Sequence, residues 1–427
     1  MSTFNIIICG AGLGGLGAAI ALRRKGHQVT VLEGAQQLAE VGAGIQIPPN
    51  SSRVLSSYGL YDELTKVVVW PQNICFKRYA NGVTIGKTPL HPTMKEKYGY
   101  PYWLIHRADY HTILLNHAKK LGVEIQLNSF VAKVDEDVAG GPTVTLADGR
   151  SIKADLVVGA DGVRSKVRQS ILGDEDVQPL DSPNCAYRAT VPGDLMREDP
   201  EVAHLMDDIN ANCWIGGERH IMAYPMRRGE LYNLVMSHPG KATVGKWNEP
   251  GDLDEMKQHY SNFDPVIQKV LLKVTGCLKW RLADVPTLPR WVGKSGRVVM
   301  IGDGAHAMVP YLAQGAATSI EDGAALAECI SRAASKEDLP KVLKAFQGIR
   351  KPRCETIQAG SRANGDIWHL HDGPEQERRD LAMGGEAGDN HKVDDNPNRW
   401  SDKSFQPWLF GYDTITETNA HLDKALA

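Results

Sequence analysis

The stretch Phe4-Asn-Ile-Ile-Ile-Cys9-Gly10-Ala11-Gly12-Leu13-Gly14-Gly15 decides the fold. A short apolar run of β type meets a glycine cluster, and an alanine-rich helical segment then continues to Lys25-Gly26. Residues 28–32 read as the next strand, which closes a βαβ unit. In such a unit Gly10 permits the sharp turn out of the strand, Gly12 lets the backbone approach a pyrophosphate, and Gly15 lets helix and strand pack closely. Gly14 belongs to the same fingerprint, and the first helical amides favour an anion. Glu33 stands 23 residues after Gly10, at the end of the second strand. A carboxylate there can accept hydrogen bonds from an adenosine ribose. The spacing predicts a bound dinucleotide without saying which one; the plain alternative is a glycine-rich turn beside a surface acid.

Outward from this unit the same alternation returns. Asp109 precedes a helical segment at 110–121 and a strand at 123–127; a strand at 155–158 precedes a helix at 163–172; a strand at 297–301 precedes a helix at 315–334. Alternating strands and helices imply an α/β sheet. Residues 74–102 and 181–275 break the rhythm with short runs, such as 220–226 and 231–236, separated by turn residues. The predicted division is a discontinuous Rossmann-like domain of residues 1–73, 103–180 and 276–345, an inserted mainly β domain of 74–102 and 181–275, and a C-terminal helical region and tail of 346–427. Residues 369–405 turn polar, and Trp408, Phe410 and Tyr412 are expected to anchor the chain end.

Composition narrows the function classes. Glycine is in excess, 42 of 427 residues against an average of about 7%. The net charge is −3, which speaks against nucleic acid as a partner, since phosphate binding needs a concentrated basic surface. Residues 4–22 have the length of a membrane span, but five glycines and the following Arg23-Arg24-Lys25 favour a buried strand, turn and helix. No membrane partner is expected. Seven scattered cysteines without a C-x-x-C pair suggest free thiols in a reducing cytoplasm. His369 and His371 lack the further ligands of a zinc site, so no metal is predicted.

Two later segments identify the dinucleotide. Asp155-Leu-Val-Val-Gly-Ala-Asp161-Gly162-Val-Arg164-Ser165 runs from strand to turn to helix, and Gly302-Asp303-Gly304-Ala305-His306 precedes Pro310 and Gln314-Gly315. With the first fingerprint, and in the same order, they resemble the three signatures of the FAD-dependent aromatic hydroxylases, the para-hydroxybenzoate hydroxylase group. Gly42-Ala-Gly-Ile-Gln-Ile-Pro-Pro-Asn50 and His369-Leu-His-Asp-Gly-Pro-Glu-Gln-Glu-Arg-Arg-Asp380 resemble the fungal branch related to salicylate hydroxylase. The resemblance implies a Rossmann-like FAD-binding domain with the inserted β domain over the substrate. It also implies monooxygenation: NADH or NADPH reduces FAD as a transient co-substrate, O2 adds at the flavin C4a position, and an electron-rich ring attacks the resulting hydroperoxide. Asp303 would then hydrogen-bond the ribityl chain, while Pro310 and Gly315 border the isoalloxazine. Gly44 and Arg107 would lie along the flavin, and Asp161 would assist both FAD and the nicotinamide nucleotide. Arg107 has an ion-pair alternative and Asp161 a turn-forming one. Gly323 stands where relatives usually carry alanine, and a helix-interior glycine is expected to loosen its helix.

On the substrate side, the period of two along a strand points His220, Met222 and Tyr224 to one face. Some aromatic acid hydroxylases carry a similarly spaced histidine and tyrosine, the histidine acting as general base. A phenolate attacks oxygen more readily than a phenol, and histidine titrates near working pH. Arg188 matches an arginine of many relatives and would pair with a carboxylate or phenolate. For His220, Tyr224 and Arg188 the structural alternatives are a strand histidine, core packing and an internal salt bridge. The expected partner is a small aromatic substrate, handled by a monomer or homodimer that hydroxylates it, with or without loss of CO2. Epoxidation or dearomatising hydroxylation of a fungal secondary metabolite, or a non-catalytic protein of similar fold, are the alternatives.

Overall fold

Continuous rather than alternating apolarity marks a strand covered on both faces, and Asn5–Cys9 lies in the middle of a five-stranded sheet. Its order is Val298–Met300, Leu156–Gly159, Asn5–Cys9, Gln28–Leu32, Glu124–Gln126, and every pairing is parallel. The computed structural model describes residues 2–38, 43–136, 138–241, 248–384 and 396–425. Gly42 and residues 385–395 of the polar excursion lie outside the described residues. Among the described residues no helix is long and apolar enough to cross a membrane, and all seven cysteines are free thiols.

The helices Leu13–Arg24 and Gly315–Ile330 cover this sheet and pack against one another through small residues. A methyl group at Gly14 would stand 3.0 Å from Ser319 Cβ, and one at Gly17 2.6 Å from Ile320 Cδ1. One at Gly323 would stand 2.7 Å from the backbone N and Cα of Ala18. The expectation that Gly323 loosens its helix is therefore corrected: its missing side chain lets two buried helices approach backbone to backbone.

The second large sheet has eight strands, in the order Asn248–Pro250, Leu278–Asp284, Leu180–Pro192, Leu231–Pro239, Arg219–Met226, Asn210–Gly216, Asn73–Arg78, Thr84–Pro89. Leu278–Asp284 fell in the segment expected to belong to the Rossmann-like part, but it pairs antiparallel with Leu180–Pro192. Nothing local in that strand reveals its partner; a free row of backbone groups on the neighbouring strand does.

The C-terminal region is led by the helix Leu339–Trp368, which runs on through Pro352. Arg350 and Arg353 on this helix meet the acids of Gly315–Ile330. Arg350 bonds Glu321 at 2.8 Å and Asp322 at 2.9 Å, and Arg353 bonds Glu321 at 2.9 Å, all buried. A charge this deep is tolerated only when fully paired, so the cluster fixes how the two helices sit. Phe410 is buried as expected. Trp408 remains 38% exposed, and Trp400 is the buried indole of the tail.

Candidate active site

Two cavities meet at the carboxyl ends of the parallel strands. The larger, about 900 Å³, runs past Gly10, Glu33 and Asp161; the other, about 350 Å³, lies between the sheets and is lined by Arg107, Arg188, His220, Tyr224, Asp303 and Pro310. Both touch Gly12, Ala160 and Gly162, so one elongated ligand can run through the two.

The glycines at the junction have different tasks. Gly10 has φ of 106°, which an L side chain rarely adopts, and side chains at Gly10 or Gly15 would collide with the Ala160 and Gly10 carbonyls respectively. At Gly12 an added Cβ would meet no protein atom within 4 Å. The helix beginning at Leu13 has no side-chain cap and no acid in its first turn, so its free amides face this open ground. Glu33 accepts the Ala11 N–H at 2.9 Å through one oxygen and the Ala35 N–H at 2.8 Å through the other. It braces the glycine loop while lining the nucleotide cleft.

Asp161 lines the same cleft, but its carboxylate is engaged locally. It accepts from Ser165 Oγ at 2.5 Å, Lys166 N at 2.7 Å and Val167 N at 3.2 Å, holding the start of Lys166–Leu172. Burial raises its pKa despite these bonds. The turn-forming role is thus present in the structure, and cofactor contact is not needed to explain the residue.

Asp303 opens a short helix after Gly302, whose φ of 59° makes the turn. Its exposed carboxylate faces the smaller cavity, opposite the start of Gly315–Ile330. Behind it, His306 Nε2 lies 2.6 Å from Asp322 and the Gly302 N–H donates to the same carboxylate at 3.0 Å. Burial alone would raise the Asp322 pKa, but His306 and Arg350 hold it down to about 2. Cys354 completes a close trio with these two, within 4.8 Å. Since Arg350 and His306 already neutralise the Asp322 carboxylate, this trio reads as packing beneath the loop.

These features fit FAD. The uncapped amides and the open ground at Gly12 suit a pyrophosphate, and Glu33 stands at the ribose end. The carboxylate of Asp303 and the amides around Gly315 stand where a ribityl chain and a flavin ring need donors and acceptors. Pro310 and Arg107 border that end.

The far wall of the smaller cavity is the eight-stranded sheet. His220, Met222 and Tyr224 share its inner face as the period of two predicts, and all three line the cavity. Met222 pairs with Val235, which pairs with Arg188, so the guanidinium stem lies in the same row two strands away. Among the described residues Arg188 has no carboxylate partner, and it stacks over Trp280 at 5.1 Å. Burial, with Arg107 nearby, pushes its pKa down to about 10. The Tyr224 hydroxyl is pushed up by burial and partly offset by Arg188. A side chain at Gly44 would strike this ring, 2.5 Å from its hydroxyl, and the Gly44 N–H donates to Asn233 at 2.8 Å. Gly44 therefore lets the strand Gly44–Ile47 lie directly on the substrate wall.

Residues invisible to motif reading complete the cavity. Trp368 and Trp400 line it from the C-terminal region. His369 stands behind His220, Nε2 to Nδ1 at 2.8 Å, while His371 is exposed near Glu218. Burial holds the His220 pKa well below its ordinary value, with a smaller push from His369. The only sequence signal for His369 was its place in the segment resembling the fungal branch.

Residues 3–361 match the family model described as FAD binding domain. FAD-dependent monooxygenase OpS4 of Beauveria bassiana (strain ARSEF 2860) is 36% identical over 425 residues, spanning 99% of this chain and 97% of its own length. 3-Hydroxybenzoate 6-hydroxylase 1 of Aquipseudomonas alcaligenes is 35% identical over 383 residues, spanning 89% of this chain and 93% of its own. A solved salicylate hydroxylase substrate complex shares the fold, with TM-score 0.81 over 100% of both chains at 24% identity. Together with a cleft shaped for FAD, these matches make the chain a member of the FAD-dependent monooxygenase family of aromatic hydroxylases.

Proposed function

We propose that the chain hydroxylates a phenolic or aromatic acid, with His220 as general base and with Arg188 and Tyr224 orienting the substrate anion. The observation that carries this reading is a guanidinium without a carboxylate partner among the described residues, on the same dry wall as a neutral imidazole. A buried cation without a counter-ion is costly, and a substrate carboxylate or phenolate would supply one. When bound, FAD supplies electron transfer from NADH or NADPH and activation of O2. The protein's share is to bind the ring between the sheet and the indoles, exclude water, and hold the substrate proton at His220 Nε2. His220 has Nδ1 turned to His369, which leaves Nε2 for the cavity. The similarity to a 3-hydroxybenzoate 6-hydroxylase supports a hydroxylated benzoate as the substrate class. We further place the enzyme in the cytoplasm as a monomer or homodimer, which light scattering and cell fractionation test.

The test is NAD(P)H oxidation screened with aromatic acids, phenols and polyketides, with product masses recorded. Gain of one oxygen indicates hydroxylation, and gain of oxygen with loss of CO2 the decarboxylative variant. An epoxide or dearomatised product would overturn the assignment. His220→Ala is expected to retain FAD and to lose coupled hydroxylation by about 10²-fold or more, with much of the loss reversed at higher pH. Unchanged coupling would remove His220 from the mechanism.

A further inference from the structure

A base in a dry wall must pass on the proton it receives, because an imidazolium left there is a buried charge. Behind His220 the structure places a second imidazole. His220 Nδ1 and His369 Nε2 are 2.8 Å apart, and the rings stack with centroids 5.1 Å apart and planes inclined by 24°. One ring comes from the strand Arg219–Met226, the other directly follows the helix Leu339–Trp368. Tyr311 and Trp368 meet His220 edge-on, at 5.4 and 5.2 Å. His220 is 3% exposed, whereas His369 is only half-buried and borders water.

Two neutral imidazoles share one hydrogen bond only if one donates and the other accepts. For His220 to take a proton at Nε2, its own hydrogen must sit on Nδ1 and be donated to His369 Nε2. His369 then carries its hydrogen on Nδ1, 3.5 Å from the Asn184 side-chain amide. A half-turn of that amide sets its oxygen there as acceptor, since the two orientations are chemically alike in outline.

We propose that His369 is a positioning residue and proton acceptor for His220, so that the two imidazoles relay the substrate proton from the cavity to water. The substrate O–H breaks as an N–H forms at His220 Nε2; the His220 Nδ1–H passes to His369 Nε2; the His369 Nδ1–H leaves to water. No electrons are exchanged. Running backwards, the relay reprotonates the product oxygen and restores both tautomers. The ionisable groups facing the pair are Tyr224 further along the strand, Tyr311 from the loop before Gly315–Ile330, and Arg379, bonded to Asp380, on Pro374–Ala382. Glu218, in the turn before the strand, holds the His369 carbonyl through its N–H at 3.0 Å. Burial, then Arg379, hold the His369 pKa down to about 4, so its cationic form is short-lived and sheds the proton readily.

This inference rests on His220 being the base, and the test separates the two. FAD-loaded enzyme is mixed with 3-hydroxybenzoate as the probe, following phenolate absorbance and, with an indicator dye, proton release. Wild type should ionise the probe and release a proton. His369→Gln should keep FAD content and probe affinity within about twofold but slow release at least about tenfold, move the ionisation profile to higher pH, and respond to added imidazole. If His220→Gln ionises the probe as wild type does, the base assignment and the relay both fall. If His220→Gln abolishes ionisation while His369→Gln leaves its rate and pH profile unchanged, the relay alone is overturned. Independently of any variant's folding, 15N-histidine NMR of the wild-type holoenzyme should find both imidazoles neutral with hydrogen on Nδ1. Hydrogen on Nε2 of either ring would overturn the relay.

Discussion

Gly12 and Gly15 sit three residues apart in one fingerprint under opposite constraints. A methyl group at Gly15 collides with the Gly10 carbonyl, while one at Gly12 enters open ground. Gly15→Ala should therefore lower stability with or without cofactor. Gly12→Ala should leave the melting temperature of the FAD-free protein within a few degrees of wild type while weakening FAD retention about tenfold or more. Flavin fluorescence after dialysis and thermal melts of stripped protein read the two effects separately. Normal flavin retention in Gly12→Ala would remove the pyrophosphate from that turn. Asp161 and Gly44 show how one residue type carries two readings: both lie in family segments, yet one closes a helix start and the other makes room for Tyr224.

Among elements, the crossing of Leu13–Arg24 with Gly315–Ile330 holds the cofactor loop against the helix that starts at the flavin end of the cavity. Gly323→Ala gains about 1 kcal/mol of helix propensity. Its methyl would meet backbone atoms of Ala18, which cannot rotate away, and overpacking of this kind costs about 1–3 kcal/mol. A net loss of stability is expected in urea denaturation of the holoenzyme, together with easier FAD loss. An unchanged or raised midpoint would show that the crossing can open without cost. The parallel strands and their helices were legible from apolar runs and glycines, because each is set by neighbours a few residues away. The pairing of Leu278–Asp284 was not, since a half-exposed strand fits any free edge.

For the whole molecule, the buried histidines make stability depend on pH in opposed directions. His220, His238 and His369 have pKa values below the ordinary 6.5, held there mainly by burial, with His238 and His369 at about 4. The unfolded chain binds their protons first, so their contribution is complete above about pH 6.5 and is lost as pH falls towards 4. His306, held protonated by Asp322 and Cys354 in spite of burial, works in reverse and favours the fold below pH 6.5. Three against one, the melting temperature should fall from pH 6.5 to 4.5, and His369→Gln should flatten that fall. A profile unchanged in the variant would count against a neutral buried His369.

The sequence alone determined the nucleotide half of the site. A strand, a turn and a helix start are contiguous, so Gly10, Gly12, Gly15 and Glu33 declare their roles by spacing, and Asp303 and Gly315 do so within one later segment. Only the tertiary structure decided the substrate half. Arg188, His220 and Tyr224 are joined by strand register, Gly44 by the space it leaves, and Trp368, His369 and Trp400 by the return of the C-terminal region onto the cavity. Such contacts depend on packing between distant segments, and packing leaves no periodic mark along a single chain.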